Sequence, residues 1–198
     1  MDFAKLLDRV KNILTNPKAE WPVIAAEPAT ASSLFLGYAL PLAGAAAVAG
    51  LIGNAIFGLG VVYGVVGAIA GIVIGLGLVY VMGIIASALA KSFSGDGDQI
   101  AGLKLVVYCS TPGWVLGLSA IVPMLAAIAG IVALIWSIFL LYTGAGPVMN
   151  VPAERQGGYT AVLVILWIVV YIVAAVIMFS ILAATVGTAV LGAAAMGG

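Results

Sequence analysis

Hydrophobic and polar positions along this chain separate into long blocks, not into the short alternations of a soluble domain. No charged residue lies between Glu27 and Lys91, between Lys104 and Glu154, or after Arg155. A bilayer-crossing helix needs about 20 predominantly apolar residues, whereas a soluble surface needs charge far more often, so these blocks predict membrane segments. Breaks at 58–60 and at Pro123 divide the first two blocks, giving five spans at roughly 34–57, 62–90, 104–122, 124–143 and 160–188. The stretch 161–185 holds no proline, glycine or charge, which argues against a sixth.

Ahead of the first span, Phe3, Leu6, Leu7, Val10, Ile13 and Leu14 recur at helical spacing, with Asp2, Lys5, Asp8, Arg9, Lys11 and Asn12 on the other face. This pattern predicts a short amphipathic helix ending near Asn16-Pro17. Its stripe of Phe3, Leu7, Val10 and Leu14 suits either the lipid headgroup region, with lysines near anionic lipid, or packing on the protein's own cytoplasmic face. Pro17, Pro22 and Pro28 argue against a long helix beyond it, and Trp21 has the ring of an interfacial anchor, so 17–33 reads as a linker with an anchor. The chain divides into a cytoplasmic head and interfacial linker, 1–30, and a transmembrane domain, 31–198. The expected fold class is all-α: a polytopic membrane helical bundle of five transmembrane helices with a short N-terminal amphipathic cytoplasmic helix. The charged head lacks the uninterrupted apolar stretch of a cleavable signal peptide, so the first span is expected to act as its own insertion signal.

Orientation follows from the basic residues. With the N-terminus in the cytoplasm, Lys5, Arg9, Lys11, Lys18, Lys91, Lys104 and Arg155 all fall on the cytoplasmic side and the C-terminus falls opposite. Merging or splitting the third or fourth span scatters Lys91, Lys104 and Arg155 across both faces.

Composition agrees, with 65% hydrophobic and 7% charged residues among 198, against roughly 25% charged in a soluble domain. Formal net charge is zero and no basic stripe forms, which argues against a nucleic acid partner. The one cysteine, Cys109, permits no internal disulfide, and its apolar flanks suggest a buried, inert thiol. The chain has no histidine, and no Asp, Glu, Lys or Arg lies within a predicted span, which disfavours proton-coupled transport, membrane-embedded catalysis and metal binding. No catalytic residue, metal ligand or cofactor site is expected.

Two patterns inside the spans carry candidate function. Gly67, Gly71, Gly75 and Gly83 fall on a four-residue repeat, preceded by Gly60 and Gly64. Such a ridge lets another backbone approach closely, either within the bundle or across a homo-oligomeric interface. The third span contains Tyr108-Cys109-Ser110-Thr111-Pro112-Gly113-Trp114, polar and kinked, with Pro112 leaving the Tyr108 carbonyl without its usual donor. Ser110 and Thr111 are placed to re-satisfy that backbone, so the motif (Tyr108, Ser110, Thr111, Pro112, Trp114) should face the bundle interior, as a structural kink or a functional site. Pro41 does the same to the Gly37 carbonyl, so two kinked helices are expected to bracket one polar region, with Asn54, Tyr63 and Tyr80 as further polar candidates. The loop Ser94-Gly95-Asp96-Gly97-Asp98-Gln99 resembles a calcium loop only in its alternating acids and reads as a glycine-rich turn. The segment holding Pro147, Asn150, Pro152, Glu154 and Arg155 reads as an irregular loop, solvated or in contact with a partner.

Asn16-Pro17, Trp21, the glycine-rich loop before the third span and Tyr108-Cys109-Ser110-Thr111-Pro112 together resemble the Yip1 family of five-span membrane proteins over nearly the whole chain. The resemblance implies a small bacterial member in the inner membrane. Eukaryotic members sit in early secretory membranes, associate with Rab-type GTPases and with one another, and are linked to vesicle traffic and membrane shaping. The chain lacks the long N-terminal region with its Asp-Leu-Tyr-Gly-Pro segment, so GTPase binding does not transfer. The leading expectation is a non-enzymatic scaffold or organiser whose partners are the lipid bilayer, a second copy of the chain and another membrane protein. The alternative is a channel, facilitator or scramblase-like path for a neutral or lipidic solute, lined by the kinked first and third spans.

Overall fold

The computed structural model describes residues 3–57 and 61–196. Gly60 lies outside these, and the Tyr63 side chain lies outside the described side chains. Helices account for nearly all of the described residues, with no strand among them.

Two short helices, α1 (Phe3–Thr15) and α2 (Pro17–Ala26), precede the membrane domain. Pro17 sits at the helix start, where its missing N–H costs nothing. The first span is α3 (Ala31–Leu34), a π-helical turn (Phe35–Ala39) and α4 (Leu40–Ile56). Thr30 and Ser33 open it with a reciprocal capping box. The second span is α5 (Val61–Ser92); the third is α6 (Gln99–Cys109) and α7 (Thr111–Gly117), finished by a 3-10 turn (Leu118–Ile121). The fourth is α8 (Pro123–Met149), and the fifth lies in α9 (Ala153–Met196).

Among the described residues, five segments are long and apolar enough to cross a membrane: Ala31–Ile56, Gly64–Ser92, Gln99–Ile121, Met124–Met149 and Ala153–Ser180. Three basic-side boundaries differ from those read in the sequence. The third span begins at Gln99, not near 104, because Asp98 caps it by accepting the Ala101 N–H at 2.8 Å. The fourth continues through Pro147 to Met149, where Asn150 turns left-handed (φ 53°) and ends it. The fifth begins at Ala153, not near 160.

The third span is the axis of the bundle: 67% of its apolar window is buried, against at most 22% in the other four. Its polarity follows, since it faces protein and not lipid. Spans two and three meet backbone to backbone, so that a Cβ on Gly102 would lie 2.3 Å from the Gly83 carbonyl oxygen. Gly102→Ala is therefore expected to destabilise the protein by about 1–3 kcal/mol. Gly71→Ala, whose Cβ meets nothing within 4 Å, should be neutral or stabilise by up to about 1 kcal/mol. Paired thermal unfolding in detergent checks both.

The loops at the basic end interlock. Asp96 N–H donates to the Met149 carbonyl at 2.7 Å, the Asn150 amide donates to the Asp96 carboxylate, and Arg155 donates to Ser94 Oγ at 2.7 Å. The fourth-to-fifth connection, read as an irregular loop either solvated or in contact with a partner, is thus held by the second-to-third. Lys91, Lys104 and Arg155 share this end with the head.

Candidate functional site

The third span breaks at Ser110. Pro112 has no N–H to give the Tyr108 carbonyl, and the chain responds by ending α6 at Cys109 and restarting at Thr111. Ser110 Oγ donates to the Val106 carbonyl at 2.8 Å, while Ser110 N–H reaches the Val106 and Val107 carbonyls at 3.0 and 3.2 Å. In the first span, Pro41 follows the widened π turn that carries Tyr38. The Tyr38 hydroxyl lies 2.9 Å from Thr111 Oγ1, both groups fully buried, so the two breaks close on each other. Either replacement, Tyr38→Phe or Thr111→Val, strands the remaining hydroxyl and is expected to cost about 1–3 kcal/mol. The double replacement should cost less than the sum of the two, as read by unfolding in detergent.

Four aromatic rings gather around this contact. Tyr38 stands 4.7 Å from Tyr108 and 6.5 Å from Trp114, and Trp21 meets Tyr108 edge-on at 6.4 Å between centroids. Trp114 is half-buried, and Pro112 is buried. The residues of the 108–112 motif therefore come together in the interior.

The head completes the site. Trp21 is 0% exposed. Its indole N–H donates to Thr143 Oγ1 of the fourth span at 3.2 Å, and its ring fills the space over Gly144, where a Cβ would come within 2.7 Å of it. The tryptophan suited to an interfacial anchor is instead a core residue, because α2 is a helix lying against α8, not a linker. In α1, Leu6 and Ile13 are buried and Val10 and Leu14 partly so, whereas Phe3 and Leu7 are 72% and 49% exposed. One flank of the apolar arc packs on the protein and the other is open.

Arg9 lies on the packed flank, three residues from Leu6 and four from Ile13. Its guanidinium is paired with the carboxylates of Glu20 and Glu27 and lies 5.9 Å from the Tyr108 ring centroid. Burial by itself would lower the Arg9 pKa, but the hydrogen bond to Glu27, then Tyr108 and the Glu20 and Glu27 charges, hold it above its ordinary value. Glu20 is 9% exposed and Lys104 is 7% exposed. Lys104 Nζ donates to the Ala25 carbonyl at 3.0 Å and to that of Glu27, placing a cation on the C-terminal end of α2.

Lys104, read as the edge of the third span, falls inside it, which corrects the sequence reading that no span holds a charge. The head also brings Arg9, paired with Glu20, over the ring of Tyr108, roughly 13 Å along that helix from Gln99. The signal for Arg9 was its place beside Leu6 and Ile13; Tyr38 and Thr143 carried none beyond proximity to Pro41 and Pro147.

The glycine ridge divides. Gly83 touches Leu103 of the third span and Gly64 touches Leu51 and Asn54 of the first. A Cβ added at Gly67, Gly71 or Gly75 would meet nothing within 4 Å, and the three line, with Asn54 and Trp114, a cleft of about 340 Å³ between spans one and two. Tyr80 packs edge-on against Phe35 at 5.8 Å. Asp96 and Asp98 are engaged as acceptors of structural bonds, and among the described residues no three of His, Cys, Asp and Glu gather as metal ligands.

The family model of the Yip1 domain matches residues 11–178. The chain belongs to the Yip1 domain family. That match begins inside α1, so the Yip1 domain here takes in the Arg9-paired helix α2 and the buried Trp21 as well as the spans. The protein is an integral membrane protein of the Yip1 type. No curated protein and no solved structure matches the chain.

Proposed function

We propose that this Yip1 domain is a non-enzymatic membrane scaffold that self-associates through the open glycine face of span two, with its basic end and N-terminus in the cytoplasm. The observation that carries the reading is the closed contact between the two helix breaks. Tyr38 and Thr111, the groups best placed to line a path beside the two breaks, are fully buried and bonded to each other. A Cβ added at Gly67, Gly71 or Gly75 meets nothing within 4 Å, which leaves room beside the cleft for the close backbone approach that is the main source of helix association in hydrocarbon. Catalysis finds little support: the chain has no histidine, and Glu20 is consumed by Arg9. The clustering of basic residues supports a cytoplasmic basic end, and five crossings put the C-terminus opposite. The partners follow from the same reading: lipid along Phe3 and Leu7, a second copy across span two, and another membrane protein.

The competing reading is a path for a neutral or lipidic solute through the two breaks. Proteoliposomes separate the two. A scaffold is expected to pass neither solute nor fluorescent phospholipid, and Gly71→Cys is expected to crosslink between copies in the membrane. Flux that disappears in Thr111→Val would overturn the scaffold reading.

A further inference from the structure

The packed side of the head neutralises its own charge. Arg9 is paired with Glu20 and with Glu27. What α1 and α2 show outward is Lys5, Lys11 and Lys18 against the carboxylate of Asp8. None of these three lysines bonds a carboxylate among the described residues. The cations sit beside the open apolar flank, since Phe3 and Leu7 lie one turn apart and Lys11 continues the same row one turn further on.

Depth and charge together select what meets that flank. Helix α1 packs against α7, whose first residue, Thr111, lies roughly 10 Å along the third span from Lys104, the last charge in that span. An amphipathic helix in a membrane interface buries its apolar side about 5–10 Å into the boundary between headgroups and acyl chains, so α1 lies at that level. Phe3 and Leu7, 72% and 49% exposed on the protein, therefore border lipid and not water. A second copy fits this face poorly. A two-fold contact brings the same patch of both copies together and would set the lysine row of one against that of the other. Anionic headgroups complement it.

We propose that the open flank of α1 is a docking surface for anionic phospholipid of the leaflet at the basic end, with Phe3 and Leu7 among the upper acyl carbons and Lys5, Lys11 and Lys18 on the headgroups. The contact rests on the lipid side of the scaffold reading and is independent of self-association through span two.

Cys109 is buried, so a nitroxide attached at Leu7→Cys, or on the polar face at Asn12→Cys, reports on the head of the full-length protein. The protein is reconstituted in vesicles of palmitoyl-oleoyl phosphatidylcholine mixed with phosphatidylglycerol. The ratio of collisions with oxygen to collisions with a water-soluble nickel chelate should be at least fivefold higher at Leu7→Cys than at Asn12→Cys. Spin-labelled phosphatidylglycerol should be held at the protein at least twofold in preference to spin-labelled phosphatidylcholine. Lys5→Gln, Lys11→Gln and Lys18→Gln together should remove at least half of that preference at unchanged melting temperature. Equal collision ratios at the two positions would put the flank in water and overturn the proposal. A Leu7→Cys label shielded from both reagents and broadened by a neighbouring label would give the face to a second copy, with the same consequence. Overturning it too would be no preference in the wild type, or a preference that survives the three replacements and so belongs to other basic groups. Gly71→Cys crosslinking, read on the same vesicles, tests self-association separately, and its absence beside intact lipid results would leave the head contact standing.

Discussion

Trp21→Ala is expected to cost about 3–5 kcal/mol, the range for deleting a buried large aromatic. Three losses coincide. The ring leaves a cavity above Gly144, Thr143 loses the indole donor, and Tyr108 loses its edge-on neighbour. Since Trp21 joins α2 to spans three and four at once, the loss should appear locally as well as globally. Hydrogen exchange of 3–27 should rise by two orders of magnitude or more, while exchange in α9 changes little. An interfacial anchor would behave otherwise, with a small drop in stability and no selective exposure of the head. Trp21→Phe, which keeps the ring contact and loses only the N–H, should recover most of the effect.

Arg9→Met is the second large effect expected. The substitution keeps an apolar stem but leaves the Glu20 carboxylate, 9% exposed, without its cation. Breaking a buried pair from one side costs about 3–5 kcal/mol, because the remaining charge is uncompensated, whereas removing both charges is often close to neutral. Adding Glu20→Gln to Arg9→Met should therefore restore more than half of the lost stability. Thermal unfolding of the wild type, both single variants and the double variant gives the coupling directly. If the double variant is no more stable than Arg9→Met alone, the pair carries no buried charge worth compensating.

The membrane spans were legible because hydrocarbon imposes length and neutrality on every segment it surrounds. The burial of 108–112 was legible too, since a freed carbonyl and a run of hydroxyls require protein neighbours. The head was not. Periodicity reports that α1 has an apolar arc but not what covers it, and here the bundle takes Leu6 and Ile13 while leaving Phe3 and Leu7 open. Likewise, a search of the spans for charge misses groups delivered from a neighbouring helix, as Arg9 and Glu20 are. Lys104 looked like a boundary because it is charged, yet its long stem lets the ammonium reach the end of α2 from a buried backbone position. Glycine spacing in span two marked a face correctly as small without saying that Gly83 would be covered and Gly71 open.

Labelling with a membrane-impermeant maleimide tests the arrangement most directly. Cys109 is buried and fully enclosed, so single cysteines can be introduced at Lys91, Arg155 and Met124 against a silent background. A five-span bundle with one basic end requires Lys91→Cys and Arg155→Cys to react from the same side of the membrane, and Met124→Cys only from the other; the proposed orientation makes the shared side the cytoplasmic one. Reaction of Lys91→Cys and Arg155→Cys from opposite sides would contradict both the span count and the loop interlock built on it.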